Sequence, residues 1–410
     1  LRSRRGRSLV TPRLLLLVPT STYRARAFVR AARRLSVDLS LASEVPSALA
    51  ELHPVDLPSF DFSQPDAVTA FIESFAADHP VDAVVAVDDQ ATMAAAMIAT
   101  ALGLRGNHPD AVYATLNKYR TRLATEAAGV PSPRYRLLHV DDDPRTVADT
   151  LDYPVVIKPL MMAASRGVIR ADDPGAFADA FARVGAIVTA QNADAEARSH
   201  VLVEEYIPGW EVAVEGLVHD GAVDIVAVFD KPDPLEGPYF PETIYTTPSR
   251  LSAPELDAVA AVTRDAVAAL KIRHGPIHAE LRGEGARAVL IEIAARSIGG
   301  LCSKVVRFHD GRSLEDIILL QALGVIDHPP PREQAAAGVM MLQAPARGLL
   351  ERVDGTEAAA AVDGVEEVIV SAHPGRELSP LPEGFLYLGF IFARGDRPES
   401  VEASLRAAHA

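Results

Sequence analysis

The sequence predicts an α/β fold with a Rossmann-like parallel sheet at the N-terminus and a small α+β region at the C-terminus. Strands and helices alternate from residue 13 to about residue 110, which favours a parallel sheet covered by helices. From about residue 336 the pattern is rich in strands, and it ends in a helix near 397–408. The chain has 410 residues, enough for two or three domains.

The N-terminal elements follow from runs of apolar residues. The segment "RLLLLVP" at 13–19 predicts a buried strand, and a helical stretch follows from Tyr23 to Leu35. A second strand is predicted at 82–89, and the alanine-rich stretch 91–102 predicts a helix. The two carboxylates where this strand meets the helix, Asp88 and Asp89, favour helix capping over a ligand site.

The middle of the chain predicts two helices, a group of strands and a further helix. They are helices at about 109–117 and 118–127, a strand at 153–159, three strands within 199–230 and a helix at about 253–270. The Pro-rich segment 230–249 is longer than a passive connector needs to be, which indicates a binding or lid role. The segment 275–300 predicts a β-hairpin that turns at "GEGA".

The composition and net charge of the chain argue against some classes of partner. Apolar residues make up 49% of the chain, as in a well-packed globular protein. The net charge of −15 argues against nucleic acid and membrane surfaces as partners. The apolar run "LLLLV" at 14–18 is too short to span a bilayer, and we expect the basic arm at residues 1–8 to be a disordered leader.

The single cysteine, Cys302, rules out a disulfide framework within the chain. This fits a reducing compartment, so we expect a cytoplasmic protein. A lone cysteine more often fills apolar space than acts as a nucleophile.

The hairpin carries the most informative charges. Glu280 and Glu292 lie on its two strands, roughly opposite each other, and facing carboxylates repel unless a cation lies between them. Mg²⁺ binds through one or two carboxylates and substrate phosphates, so the pair suggests a Mg-nucleotide site. At period two, Glu292 and Arg296 share one strand face; taken alone, these two charges are more typical of a solvated edge or a structural ion pair.

Two lysines and a loop of small residues could meet the phosphates. Lys118 begins a helix and Lys158 ends the apolar strand "VVIKP". The loop that follows contains Ser165 and Gly167, and its small residues would let backbone N–H groups approach phosphate oxygens. Neither a P-loop nor a G-x-G-x-x-G fingerprint is present.

The segment "VEEYIPGWE" at 203–211 could hold the rest of a nucleotide. The acidic end of its strand, Glu204 and Glu205, can offer a carboxylate and backbone groups to an adenine edge. Ile207 can cover the ring, and Glu211 can accept from ribose hydroxyls. Taken alone, these acids are more typical of a solvated turn.

Together, these parts resemble the ATP-grasp superfamily in order and rough spacing. The resemblance rests on a lysine before a helix, "VVIKP", the small-residue loop, "EEYIPGWE", "HAEL" and "IEIAAR", and it covers about residues 13–330. The tail, with "LGFIFARG" before a last helix, is similar to the C-terminal domain of carboxylase-like and amino-acid-ligase-like members. The loop "FPETIYTTPS" and "EIAARSIGG" resemble the L-amino acid ligases that make dipeptides and the carnosine-synthase-like enzymes.

The resemblance implies a role for each site residue. Lys118 and Lys158 would contact phosphates, whereas Glu204, Glu205 and Ile207 would frame adenine and Glu211 would hold the ribose. Glu280 and Glu292 would bind two Mg²⁺ ions, for which Mn²⁺ could substitute. Arg296, with Lys158, would act in catalysis on the reacting carboxyl group. Many members carry an asparagine ligand two residues after the second metal glutamate. Here that residue is Ala294, which puts the full shell of the second ion in doubt.

The resemblance also implies domains and a reaction. We expect a pre-ATP-grasp domain at 1–113, an ATP-grasp domain at 114–330 with a lid at 151–205, and a small C-terminal domain at 331–410. The expected reaction joins a small-molecule carboxylate to an amine through an acyl phosphate, with ADP and phosphate as products; the family often forms homodimers. The alternatives are a carboxylase or purine-pathway ligase that uses bicarbonate or another small acid, and a silent nucleotide-binding module.

Several residues could contact the substrates. These candidates are Tyr245 in the loop 237–249, His278, Ser297, Gly299 and Gly300. The two glycines bring no side chain, which predicts room for a bulky substrate beside Arg296. His278 is either a substrate contact or a core histidine. The identities of the acid and the amine depend on pocket shape.

Overall fold

The computed structural model describes residues 11–46, 57–76, 78–191, 194–384 and 386–410. The basic arm at residues 1–8 lies outside these ranges. No helix in the described ranges combines the length and apolar character needed to cross a membrane.

The N-terminal region contains a three-stranded parallel sheet with the strand order β2-β1-β3. Its elements are β1 (Arg13–Leu17), α1 (Ala25–Leu35), β2 (Asp38–Ala42), α2 (Pro65–Phe71) with a π-helical turn (Ile72–Ala76), β3 (Ala83–Ala86), α3 (Asp89–Leu102), α4 (Pro109–Leu116) and α5 (Lys118–Ala128). The predicted parallel sheet is therefore present. The first helix begins two residues later than predicted, and the strand predicted at 82–89 is confined to 83–86.

The four leucines of β1 explain the position of this sheet. All four are fully buried, Leu14 and Leu16 in one apolar cluster and Leu15 and Leu17 in another. A continuous apolar run is expected when both faces of a parallel sheet are covered. The cluster with Leu14 and Leu16 also contains Phe229 of the large sheet, so the N-terminal region packs directly onto the rest of the protein.

The part of the chain that contains the lid predicted at 151–205 forms a four-stranded antiparallel sheet, called the lid sheet below, with the order β4-β7-β5-β6. Its elements are β4 (Tyr135–His139), α6 (Arg145–Ala148), β5 (Val155–Pro159), β6 (Ile169–Ala171), α7 (Pro174–Gln191), α8 (Ala195–Ser199) and β7 (His200–Glu205). The inner face of α7, with Phe177 and Val184 fully buried, packs against this sheet.

The largest sheet has eight antiparallel strands in the order β12-β11-β8-β9-β10-β13-β17-β15. The elements of this part are β8 (Trp210–His219), β9 (Ala222–Asp230), β10 (Ile244–Thr247), α9 (Ala253–Ala269), β11 (His274–Glu284), β12 (Arg287–Ala294), a 3-10 turn (Cys302–Val305), α10 (Leu314–Ala322), β13 (Ala336–Gln343), β14 (Gly348–Leu349), α11 (Thr356–Ala360), β15 (Val365–Val370), β16 (Glu377–Leu378), β17 (Tyr387–Gly395) and α12 (Pro398–His409). The C-terminal strands β13, β17 and β15 thus continue the sheet that the central strands begin. The domain boundaries stay predictions.

Candidate active site

One continuous pocket of about 820 Å³ lies where the N-terminal region, the lid sheet and the large sheet meet. Most of the predicted site residues line it: Lys118, Lys158, Ser165, Glu204, Glu205, Ile207, Glu211, Tyr245, His278, Glu280, Glu292, Arg296, Gly299 and Gly300. Gly167 and Ser297 are not among the residues that line it. The fold therefore gathers residues that lie up to 182 positions apart, from Lys118 to Gly300.

The hairpin of β11 and β12 places Glu280 directly opposite Glu292, as the sequence predicts. A β-bulge follows this pair, because Ile291 is an extra residue with no partner on β11. Bulges commonly re-aim side chains beside functional sites. The carbonyl of Ile291 accepts a hydrogen bond of 2.5 Å from Arg122 on α5, so the main chain next to Glu292 is tied to a neighbouring helix.

Glu204 is held between two cations. Its oxygens accept hydrogen bonds from Nε of Arg122 at 2.7 Å and from Nζ of Lys158 at 2.5 Å. Its side chain is 1% exposed. Burial alone would raise the pKa of Glu204, but Arg122 and Lys158 outweigh it and lower this pKa to about 2.

This triad alters the role predicted for Glu204. Both of its carboxylate oxygens already have cationic partners, so the carboxylate serves to order Lys158. The neighbouring residues Glu205 and Ile207 line the pocket. Their main chain is a better candidate for the adenine edge.

Lys118 and Glu292 contact each other across the pocket. Nζ of Lys118 lies 3.3 Å from Oε1 of Glu292 and donates a 2.7 Å hydrogen bond to the carbonyl of Met162. Lys118 belongs to α5, whose first turn is capped by the side chain of Asn117. The start of α5 thus places Lys118 in contact with both the hairpin and the loop after β5.

Lys231 is a charge centre that the sequence reasoning missed. Its buried ammonium lies 2.7 Å from Glu211, 3.1 Å from Glu242 and 3.4 Å from Glu280. Arg282 also contacts Glu211, at 3.1 Å. Burial would lower the pKa of Lys231, but the three carboxylates raise it well above its ordinary value. Glu211, predicted to hold a ribose, is therefore already bonded to two cations.

The residues present are compatible with a divalent cation between Glu280 and Glu292. Both carboxylates line the pocket, are partly exposed and now face ammonium groups at more than 3 Å. An all-oxygen donor set suits Mg²⁺, whereas Ala294 offers no ligand atom. The three acids Glu211, Glu242 and Glu280 also have ligand atoms within 4.8 Å of one another, but the buried ammonium of Lys231 already contacts all three.

The small-residue loop after β5 is held from outside the pocket. Ala164 and Ser165 have φ values of 57° and 54°, and Gly167 has φ of 70°. A Cβ on Gly167 would lie 2.7 Å from a side-chain atom of Pro159, so only glycine fits this close approach. The N–H of Gly167 donates to the carbonyl of Pro382. This backbone N–H therefore contacts the C-terminal part of the chain and not a phosphate.

Arg296 is not on the strand face predicted for it. Strand β12 ends at Ala294, and Arg296 lies in the bend that follows. Its Nε and one terminal nitrogen lie 3.0 and 2.9 Å from Oδ2 of Asp89. Burial would lower the pKa of Arg296, but Asp89 outweighs it and raises this pKa. The guanidinium of Arg296 is therefore held by the carboxylate of Asp89, at the start of α3.

Asp88 and Asp89 also differ from prediction. Asp88 is the N-cap residue of α3, but its side chain makes no capping hydrogen bond. It pairs with Arg24 at 3.1 Å, while Asp89 pairs with Arg296. Both carboxylates line the pocket, and their partners come from other elements.

His278 lies between two carboxylates. Its Nδ1 is 3.5 Å from Glu215 and its Nε2 is 3.5 Å from Glu280. Burial would lower the pKa of His278, but the two carboxylates raise it. Glu215 is fully buried, and burial raises its pKa. His278 is thus both buried and a residue of the pocket wall.

The wall opposite the hairpin is partly aromatic. The hydroxyl of Tyr245 donates a hydrogen bond to Glu242. Cys302 is buried, with Sγ 3.5 Å from Sδ of Met341, and burial raises the pKa of its thiol well above the ordinary value. This fits an inert filler of apolar space, as the sequence predicts.

Arg24 is a second residue that the sequence reasoning missed. It is buried and donates to the carbonyl of Val87 at 2.8 Å and to Oγ of Ser297 at 2.5 Å. Ser297 is therefore a contact to the N-terminal region. A partner 273 positions away leaves no local signal in the sequence.

Comparisons with known proteins agree with this architecture. Family models match residues 29–106 (ATP-grasp N-terminal domain), 151–305 (ATP-grasp domain) and 340–410 (L-amino acid ligase C-terminal domain 2). The L-amino acid ligase structure from Bacillus licheniformis superposes with a TM-score of 0.80 at 24% identity, covering 97% of this chain and 96% of that chain. The carboxyaminoimidazole ribonucleotide synthase of Aspergillus clavatus, complexed with ATP, gives 0.71 at 18% identity, with 97% of each chain covered. These two structural likenesses show the fold.

Sequence relatives are more distant or shorter matches. Protein y4rH of Sinorhizobium fredii, itself uncharacterised, is 23% identical over 96% of this chain and 81% of its own length. The D-alanine–D-alanine ligase of Nitrosomonas europaea is 33% identical over 34% of this chain, and the alanine–anticapsin ligase of Bacillus subtilis is 28% identical over 48%. The chain spans less than half the length of these two ligases, 43% and 44%.

The chain contains segments that match the ATP-grasp N-terminal domain and the ATP-grasp domain, and its fold is that of the superposed L-amino acid ligase structure. Its C-terminal part is of the L-amino acid ligase type. These matches confirm the resemblance that the sequence motifs predicted.

The buried triad generates a stability prediction. Glu204→Gln would leave Arg122 and Lys158 without their carboxylate, at a cost of ~3–5 kcal/mol near neutral pH. The folded-state pKa of Glu204, about 2, lies below its unfolded value. Its stabilisation is therefore present above an unfolded pKa of about 4.3 and is lost as the pH falls toward 2.

Urea denaturation of wild type and Glu204→Gln at several pH values checks this. The difference in unfolding free energy should be constant near neutrality and shrink below about pH 4. Glu205→Gln is the matched control, because the partner of Glu205, Arg134, is exposed. A difference that does not change with pH would contradict the role given to Glu204.

Proposed function

We propose that this protein is an ATP-dependent carboxylate–amine ligase that forms a peptide-like amide bond through an acyl phosphate. The observation that carries the proposal is the single pocket shared by Lys118, Lys158, the facing pair Glu280 and Glu292, and Arg296. Lysines suit phosphates, paired carboxylates suit a metal ion, and a guanidinium suits a carboxylate.

In this proposal the protein holds ATP with groups that are already ordered. Lys158, fixed by Glu204, and Lys118, fixed by the carbonyl of Met162, would neutralise phosphate oxygens. Glu205 and Ile207 would offer main-chain groups to adenine. Glu211 would accept from the ribose, provided that a hydroxyl joins Lys231 and Arg282 around it.

Metal ions would bind at Glu280 and Glu292 and supply positive charge beside the transferred phosphoryl group. We propose two Mg²⁺ ions, with the second held by Glu292 and the nucleotide because Ala294 contributes no ligand. Mn²⁺ could replace Mg²⁺, since both accept carboxylate oxygen.

The reaction would proceed in two steps. The substrate carboxylate attacks the γ-phosphorus of ATP, a P–O bond to ADP breaks, and an acyl phosphate forms. The amine then attacks the acyl carbon, phosphate leaves and a proton is released. Arg296 would neutralise charge on the carboxyl oxygens in both steps.

The lid would exclude water during these steps. It is docked on the C-terminal part, since Arg183 donates to both carboxylate oxygens of Glu383 at 2.7 and 3.0 Å and Arg166 donates to the carbonyl of the same residue. An acyl phosphate formed under a closed lid would meet the amine before water.

The substrate end of the pocket favours organic acids and amines over bicarbonate. Its apolar side chains include Tyr23, Phe62, Met93, Met341 and Tyr387. A Cβ placed on Gly299 would meet no atom within 4 Å, so there is room for a bulky side chain. We propose amino acids as substrates, in a cytoplasmic enzyme supplied with ATP.

The rival function is a carboxylase that uses bicarbonate, as the structural similarity to a carboxyaminoimidazole ribonucleotide synthase allows. A phosphate-release screen of amino-acid pairs, with mass spectrometry of the products, separates the two. The proposal expects amide products without added bicarbonate, whereas a strict bicarbonate requirement supports the rival.

The proposed reaction predicts that the enzyme releases ADP and phosphate. Lysines and metal carboxylates around the phosphates suit transfer of the γ-phosphoryl group. Nucleotide chromatography with an active substrate pair measures the products. Stoichiometric AMP and pyrophosphate would exclude the acyl-phosphate route.

Glu292→Gln should reduce turnover almost to background while the fold is kept, because it removes charge from a metal ligand with little change in volume. Steady-state rates in Mg²⁺ and a thermal melt measure both effects. Glu284→Gln, an exposed position at the end of the same hairpin, is the control and should keep the wild-type rate. Normal turnover by Glu292→Gln would remove Glu292 from the metal site.

Arg296→Lys should fold, bind ATP and turn over ~10²–10³ times more slowly, the scale for one lost oxyanion donor. A lysine keeps the charge beside Asp89 but lacks the planar fork that grips a carboxylate. ATP binding by calorimetry, a thermal melt and the rate together test this. A normal rate, or a failure to fold, would argue against a catalytic role.

A further inference from the structure

The segment that follows β12 is anchored at three successive residues, Arg296, Ser297 and Ile298. Arg296 is bonded to Asp89, Ser297 accepts from Arg24, and the N–H of Ile298 donates to Glu215 at 2.9 Å. The first two anchors belong to the N-terminal region. This segment, called the exit segment below, is therefore positioned largely by residues outside the ATP-grasp domain.

The contact between Asp89 and Arg296 fixes the guanidinium in place. Nε and one terminal nitrogen both reach Oδ2 of Asp89, and the other terminal nitrogen donates to the carbonyl of Ser297 at 3.1 Å. A guanidinium has five N–H donors. Among the contacts of the described residues, each terminal nitrogen of Arg296 keeps one N–H for a ligand, and the side chain lines the pocket.

Without Asp89, the guanidinium of Arg296 could pair with another carboxylate. Asp88, which is already paired with Arg24, and Glu292 both act on Arg296 electrostatically, and Glu292 lies four residues earlier on the same chain segment. An ion pair between them would occupy a metal carboxylate and the substrate arginine at once. Asp89 thus competes with Glu292 for the guanidinium and keeps the two reactive groups apart.

A simpler role for Asp89 is to stabilise its own helix. It is the first residue of α3, where a carboxylate interacts favourably with the helix dipole. That role would not depend on Arg296. The side chain of Arg296 is only 12% exposed, and two of its nitrogens contact Asp89, at 3.0 and 2.9 Å, which is more than a helix terminus requires.

We propose that Asp89 is a positioning residue of the ligase reaction. It holds Arg296 where the guanidinium can receive the substrate carboxylate, and through it the N-terminal region controls use of the acid substrate. This inference rests on the proposed function, because it assigns Arg296 to the reacting carboxyl group.

A double-mutant cycle of Asp89→Asn and Arg296→Lys tests the proposal. Asp89→Asn alone should lower kcat/KM for the acid ~10–100-fold, the scale of a misplaced catalytic group, while ATP affinity in calorimetry stays at the wild-type value. In the Arg296→Lys background the same change should cost at most a small further factor, because a residue that acts through Arg296 has little left to position. Asp66→Asn, an exposed carboxylate in the first turn of α2, is the control for the helix dipole and should leave the rate unchanged.

Several outcomes would overturn the role of Asp89. A wild-type rate for Asp89→Asn would do so, as would equal losses in both backgrounds, because the two residues would then act independently. If Asp89→Asn does not fold, Asp89→Glu carries the test, since it keeps the charge and shifts the carboxylate by one methylene. It should melt like wild type and still use the acid less well; a wild-type rate there would assign Asp89 a structural role.

The same measurements separate this inference from the proposed function. A wild type that forms no ADP in response to any acid and amine contradicts the ligase proposal. An active wild type whose Asp89→Asn variant is equally active contradicts only the role of Asp89.

Discussion

The ion triad of Arg122, Glu204 and Lys158 is the interaction on which the site depends. It connects helix α5, the strands β5 and β7 and, through the carbonyl of Ile291, the bulge in the hairpin of β11 and β12. A fully buried carboxylate is stable only when it is paired, so the positions of the two cations are fixed together. The side chain of Glu204 thereby sets the geometry between Lys158 and the carboxylate of Glu292.

A second property of the pocket is that its reactive groups already have partners of opposite charge. Lys118 faces Glu292, Lys231 faces Glu280, and Arg296 is held by Asp89. Pairing of this kind keeps charged side chains ordered in a protected site before ligands arrive. Binding of a nucleotide and its metal ions would exchange the first two of these pairs for contacts with phosphates and cations, while Asp89 would stay bonded to Arg296, so little rearrangement of side chains would be needed.

The sequence predicted those parts of the site that have a local signal. Periodicity and turn residues placed Glu280 opposite Glu292, and the end of the apolar strand "VVIKP" identified Lys158 as a candidate for the site. The sequence could not predict that Glu204 is bonded on both sides, because Arg122 lies 82 positions away on a helix. The sequence could not predict the bulge at Ile291 either, since one extra apolar residue does not interrupt an apolar strand.

The missed residues share a physical reason. Arg24 and Asp89 contact the exit segment across 273 and 207 positions, and only tertiary packing brings them there. The capping role expected for Asp88 and Asp89 was locally reasonable, but ion pairs with buried arginines were available in the fold. The predicted fold class required no such knowledge, because alternating strands and helices and the leucine run of β1 follow from short-range patterns.

The most direct test of the account uses a carboxylate substrate labelled with ¹⁸O, in an acid–amine pair that the phosphate-release screen identifies. An acyl-phosphate route transfers one labelled oxygen from the acid to the released phosphate in each turnover, which mass spectrometry of the phosphate detects. The account predicts label in the phosphate in proportion to the amide formed. Amide formation with unlabelled phosphate would contradict it.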